Sequence, residues 1–205
     1  DAWFQNLGIE SGKYVITVTN TERVRGSFTD PPRVNVGAVS EISGAGGRRR
    51  LAPTSGEQSL LVIRGISADG MPSKGASALA DDIFGSLVGG SDPVNLASQY
   101  NACSDGKLTF VPATGSGGIV KGVVEITIAS GISGMNRITA HNLFTSAAVN
   151  VVGNLAQWTQ VFLVMQSSVN FEGAAAYAYM NHWLSVYDNN YASMVVVQMH
   201  EIGKC

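Results

Sequence analysis

Leu60-Leu61-Val62-Ile63-Arg64 and Val161-Phe162-Leu163-Val164-Met165 are short apolar runs of the kind that form strands buried on both faces. Such strands need cover on both sides of their sheet, so these two runs point to a layered α/β arrangement. The segments around them supply the other parts. Residues 77–87 and 93–100 read as helices, the second entered through Ser91-Asp92-Pro93, a capping residue followed by a first-turn proline. Leu108-Thr109-Phe110-Val111 and Gly122-Val123-Val124-Glu125-Ile126-Thr127-Ile128 read as strands. A helix is predicted over 135–152 from the spacing of Ile138, Leu143, Phe144, Ala147 and Val151. Residues 176–179 and 183–187 suggest an extended aromatic hairpin, and 192–202 starts as a helix. The expected fold class is α/β (α+β), a mixed sheet with backing helices, and no internal repeat is visible.

Charge narrows the partners. The 13 basic and 15 acidic residues give a net charge of −2, which offers no field for nucleic acid or for an anionic membrane. Of these charges 24 lie in residues 1–137, and the last 68 residues hold only Glu172, Asp188, Glu201 and Lys204, so the C-terminal third reads as interior. No membrane span is expected there. Asn142, Asn150, Gly153, Asn154, Gln157, Gln160 and Gln166 interrupt it well short of the roughly 20 apolar residues a spanning helix needs.

Residues 1–50 are of a different kind. Tyr14-Val15-Ile16-Thr17-Val18-Thr19 has strand alternation, but Pro31-Pro32 and the run from Ser43 to Arg50 have the composition of an exposed linker. The three arginines at 48–50 suit either a processing protease of basic specificity or a solvated loop, and the expectation is that 1–50 is the end of a pro-segment. Cys103 and Cys205 make no disulfide framework and are expected as unpaired thiols. The chain starts at Asp1 with no leader and contains no Asn-x-Ser/Thr acceptor, so compartment is not readable from it directly.

Three histidines are present. His141 and His182 lie in an uncharged helical stretch and an aromatic stretch, and are expected to be core or surface residues. His200 differs, because Glu201 follows it on the apolar, helix-compatible run Met194-Val195-Val196-Val197-Gln198-Met199. In the helical pattern His-Glu-x-x-His, two imidazoles four residues apart share one helix face and bind one Zn²⁺. The glutamate between them takes a proton from the metal-bound water. Here the second position is Lys204, whose ammonium has no lone pair to give.

Val195-Val196-Val197-Gln198-Met199-His200-Glu201-Ile202-Gly203 resembles the start of the active-site helix of the gametolysin-type zinc metallopeptidases, a metzincin family. Ser59-Leu60-Leu61-Val62-Ile63-Arg64, Asp81-Asp82-Ile83-Phe84-Gly85, Asn95-Leu96-Ala97-Ser98-Gln99-Tyr100 with Cys103-Ser104, Gly122 to Ile128, and Tyr177-Ala178-Tyr179 before Trp183-Leu184-Ser185-Val186-Tyr187 are similar to it in kind and order. The resemblance covers about residues 59–203. It implies a secreted zinc endopeptidase acting on extracellular or cell-wall glycoproteins, with a metzincin-like N-terminal subdomain: a twisted mixed sheet, backing helices and the start of the active-site helix. His200 then matches the first zinc ligand and Glu201 the general base. On this resemblance residues 51–205 are expected to be the N-terminal, incomplete part of a catalytic domain, and the chain as written is expected to be inactive. Gly203-Lys204-Cys205 can be encoded across a sequence that matches an intron start, which would explain an early stop. The alternative is a non-catalytic secreted pseudopeptidase or peptide-binding module that holds a peptide by strand pairing.

Overall fold

The computed structural model describes residues 14–21, 34–41, 55–179 and 182–203. Pro31-Pro32, Arg48 to Arg50, Lys204 and Cys205 lie outside the described residues. The chain divides into two compact units, Asp1–Arg50 and Leu51–Cys205. In the first, β1 (Tyr14–Thr21) pairs antiparallel with β2 (Val34–Glu41), Tyr14 opposite Glu41. The sequence reading anticipated β1 alone. The alternation of Val34 and Val36 that marks β2 is short and is broken at once by Gly37.

The second unit is built on β3 (Gly56–Ile66), the central strand of a six-stranded sheet. Along one side it pairs in parallel first with β4 (Leu108–Pro112) and then with β5 (Val123–Thr127). Its other side pairs in parallel with β6 (Gln160–Met165), which pairs in parallel with β8 (Leu184–Asp188). The outermost strand, β7 (Ala176–Ala178), runs antiparallel to β8. The fold is therefore α/β with a mixed sheet, as the apolar runs require.

Alternation of side chains along β3 builds two cores. Leu61 and Ile63 meet Val161, Leu163 and Met165 under α3 (Arg137–Val152) on one face. Leu60 and Val62 meet Phe162, Val164 and Tyr187 on the other. That second face is covered by α1 (Ala76–Phe84), α2 (Leu96–Cys103) and α4 (Val195–Ile202). All four β3 residues are fully buried, and burial of an aliphatic side chain of this size contributes about 1.5–3 kcal/mol.

Two helices depart from the sequence reading. The entry to α2 is not Ser91-Asp92-Pro93 but Asn95, whose side chain accepts from Ser98 N–H while Ser98 Oγ accepts from Asn95 N–H. Asp92 caps nothing helical; its carboxylate accepts from Val94 N–H within the preceding turn. In α3 the buried side is Ala140, His141, Phe144, Ala148 and Val152, while Ile138, Leu143 and Val151 are exposed. The cause is close approach. A Cβ on Gly65 of β3 would meet the Phe144 ring at 2.8 Å, so Phe144 sits directly on the glycine and the small Ala140 and Ala148 flank it at the sheet. The C-terminal third is interior in its strands, since β6 and β8 are buried throughout, but not along α3.

The loops after the strands are tied down by two polar groups. Arg64 is buried, and its guanidinium donates to Lys74 O, Pro72 O and Glu125 Oε1 at 2.6–2.7 Å. Asp69 accepts from Ser67 Oγ, Gln166 Nε2, and the N–H groups of Ile132 and Ser133. These bonds, the Ser67 hydroxyl first, hold its carboxyl well below the usual carboxylate range. No helix among the described residues is long and apolar enough to cross a membrane.

Candidate functional site

The His-Glu pair lies in the last turn of α4. Val197, Met199 and Ile202 on the inner side of that helix pack into the second core, which fixes the rotation of the turn. Gly203 N–H returns to Met199 O, and the Tyr100 hydroxyl of α2 donates to Gly203 O, so the helix end is anchored to its neighbour. His200 is exposed and Glu201 is half-buried. Burial pushes the Glu201 carboxyl up, while the adjacent His200 and a backbone hydrogen bond from Ala178 act in the opposite direction.

Glu201 lies beside the edge of the sheet. Asp188 N–H donates to Ala175 O, which makes Ala175 and Asp188 a hydrogen-bonded antiparallel pair. Tyr177 and Val186, two residues on, are the next such pair. Ala176 and Ala178 therefore turn their N–H and C=O away from β8, toward the outer side of the sheet. The outward N–H of Ala178 is the backbone group that helps to draw the Glu201 carboxyl down. An open groove of about 400 Å³ runs beside it, with Ala174, Ala175 and Ala176 on one side and Val196, Val197, His200 and Glu201 on the other. Its wall is small and apolar, its strand side offers main-chain donors and acceptors, and one acid and one imidazole stand at its end.

The other two histidines lie elsewhere. Tyr177 points from β7 to the α3 side, where His141 Nδ1 is 2.8 Å from its hydroxyl. Burial, and then the neighbouring His182, push the His141 imidazole down. Burial and Tyr179 push the Tyr177 phenol up against the opposing pull of Arg137, whose guanidinium lies 5.2 Å from the ring centre. His182 Nδ1 accepts from Leu184 N–H at 3.1 Å, and its ring stacks on Trp183. The core reading of His141 agrees with this placement, which puts the sheet between it and α4.

A catalytic zinc takes three protein ligands and a water. Among the described residues no three histidine, cysteine, aspartate or glutamate side chains gather in one place, and Cys103 is an exposed thiol at the end of α2. The donor set at α4 is the His200 imidazole with the Glu201 carboxylate beside it. These residues alone do not fit the metal centre that the resemblance implies. What they can do is hold a polar group of a bound chain and exchange a proton with it. Lys204, at the position of the second histidine, is outside the described residues.

Sequence reasoning found His200 and Glu201 but missed Ala178, whose role is its backbone and depends on which edge of the sheet it occupies. It also passed over Gln198, the one polar residue within the apolar run 194–199 and a fully buried one. No protein-family model, no curated protein and no solved structure matches this chain.

Proposed function

We propose that the groove between β7 and α4 binds an extended peptide, and that this unit is the substrate-binding half of a gametolysin-type zinc metalloendopeptidase acting on extracellular or cell-wall glycoproteins. The observation that carries the reading is the groove itself, in which Ala174, Ala175 and Ala176 at the sheet edge face Val196, Val197, His200 and Glu201 of α4. It sets a His-Glu pair at one end of a sheet edge whose outward N–H and C=O groups match a pairing strand. Main-chain pairing with Ala176 aligns the peptide, and the alanine and valine walls take its side chains. In this reading His200 is one zinc ligand and Glu201 the proton acceptor, with further ligands supplied from outside the described residues.

That no third metal-ligating side chain gathers with His200 and Glu201 among the described residues favours a second reading, a peptide-binding module that does not cut. One set of measurements separates the two. A fluorescent extended peptide of small apolar residues is titrated against the 205-residue chain, and hydrolysis of a glycoprotein substrate is followed for this chain and for any longer transcript product. Binding by both, with chelator-sensitive hydrolysis by the longer form that Glu201→Gln abolishes, supports the endopeptidase. Binding without hydrolysis in every form supports the module. Absence of peptide binding overturns both.

A further inference from the structure

The β7–β8 ladder ends on a side chain. Its hydrogen-bonded pairs recur at every second residue, at Ala175 with Asp188 and at Tyr177 with Val186, so the next in the series is Tyr179 with Leu184. Leu184 N–H points that way. Trp183 O, the other end of the same planar peptide group, accepts from Val161 N–H of β6 on the opposite side. The ladder is nevertheless diverted at this step. Tyr179 O accepts from His182 N–H at 3.1 Å, and Leu184 N–H donates to His182 Nδ1, also at 3.1 Å.

This bond fixes the protonation state of the ring. A nitrogen that accepts a hydrogen carries none, so His182 is neutral with its hydrogen on Nε2, and an imidazolium, with hydrogens on both nitrogens, has nothing to accept with. The ring is seated by its neighbours in either state. It stacks on Trp183 with centres 4.7 Å apart and meets the Tyr179 ring at 5.7 Å, and both are contacts that a cation also favours. Titratable groups from two further elements surround it. From β7 and its end these are Tyr177 and Tyr179, whose rings are 6.0 Å apart. From α3 they are His141, 6.3 Å from the Tyr179 ring, and Arg137, which lies over the Tyr177 ring and pairs with Glu172 at 3.2 Å. His182 acts on His141 as a like charge, so a proton on one ring opposes a proton on the other.

We infer that His182 is a proton-operated end-stop for β7: the neutral ring holds Leu184 N–H and terminates the strand at Ala178, and the imidazolium drops that hydrogen and releases the strand end. Leu184 is buried, so its N–H is costly to leave unpaired and the end of the ladder gives way with the bond. The consequence reaches the groove, because β7 supplies one of its walls through Ala176. Acid should therefore weaken a peptide paired there. That regulation rests on the peptide-binding reading above, whereas the end-stop stands on the ladder geometry alone.

Amide hydrogen exchange of the full chain at pH 7.5 and 5.0, corrected for the intrinsic pH dependence of exchange, reads the bond at Leu184. Protection there should fall about five- to tenfold more than at the β3 and β6 amides on acidification, the worth of one net hydrogen bond. His182→Asn supplies an amide oxygen that accepts at either pH and should abolish this local fall, while His141→Gln should retain it. Ring-nitrogen NMR of the parent chain decides the matter even if His182→Asn does not fold: Nδ1 of His182 should be bare at pH 7.5 and protonated at pH 5.0. Unchanged protection at Leu184, an equal local fall in folded His182→Asn, or a proton on Nδ1 at pH 7.5 overturns the inference. Affinity for an extended peptide of small apolar residues, measured on the same samples, is a separate reading. A peptide bound at neither pH sinks the groove and leaves the end-stop, and one bound equally at both while Leu184 is released sinks the regulation.

Discussion

Arg64 Nη1 stands 2.6 Å from Glu125 Oε1 across the register that pairs β3 with β5, and the two ends of this ion pair are unequally buried. The Arg64 side chain is 7% exposed and that of Glu125 48%. Two further donors of the guanidinium, at Nε and Nη2, go to Lys74 O and Pro72 O, so the arginine closes the loop after β3 as well as the strand pair.

Removal of the two partners should therefore have unequal effects. Arg64→Met keeps the stem but forfeits three charge-assisted bonds, at a cost of about 2–4 kcal/mol. Glu125→Gln keeps an acceptor at a wet site and should cost about 1 kcal/mol or less. Urea denaturation of both variants measures the difference, and equal losses would contradict the assignment of Arg64 as the buried anchor.

Gly65 gives a steric prediction. A methyl group there meets three Phe144 ring atoms at 2.8–3.0 Å, from the strand on one side and α3 on the other. Gly65→Ala should destabilise by about 1–3 kcal/mol, the range for overpacked cores. Adding Phe144→Leu, which withdraws the ring, should recover part of that loss. Additive losses in the double variant would show that the two positions do not share the contact.

The same pair shows what the sequence could and could not disclose. Runs such as Leu60 to Ile63 and Val161 to Met165 identify strands whatever surrounds them, because both of their faces must be buried. The orientation of α3 was not legible in that way. Its apolar residues are spread round the helix, and the choice of inner face was made by Gly65, which lies in another element 79 positions before Phe144. The site divides likewise. His200 and Glu201 are visible as chemical types, but Ala178 acts through a peptide N–H whose direction is set by pairing with β8, and no residue type encodes that.

His141 should make stability depend on pH. Burial, and then His182, disfavour the charged imidazole, so its pKa in the fold lies below the ordinary value of about 6.5. As pH falls through that ordinary value, the unfolded chain takes up a proton that the folded chain refuses, and stability declines until the folded pKa is reached. Chemical denaturation at pH 7.5 and 5.5 should show this loss, and His141→Gln should flatten it. An unchanged slope in the variant would place the titration elsewhere.

Asp69 should act at lower pH and locally. Its lowered pKa means that its contribution is complete above the usual aspartate value of about 3.9 and is lost as pH falls below it. Asp69→Ala removes the acceptor for Ile132 and Ser133 N–H. Hydrogen exchange at those two amides should accelerate in the variant at pH 7, with the amides of β3 and β6 unchanged. Equal acceleration throughout the sheet would mean global destabilisation instead.

The groove reading is tested most directly at Ala176. Its N–H faces away from β8, so proline there removes a donor from the outer edge without breaking the β7–β8 ladder, and proline is tolerated on edge strands in that orientation. Ala176→Pro should therefore leave the unfolding midpoint nearly unchanged while weakening peptide binding about five- to tenfold, the loss of one net hydrogen bond. Tyr177→Pro is the matched control: its N–H faces β8, so it should destabilise the hairpin. If Ala176→Pro binds the peptide as tightly as the parent chain, the peptide does not pair with β7, and the binding mode proposed for the groove fails.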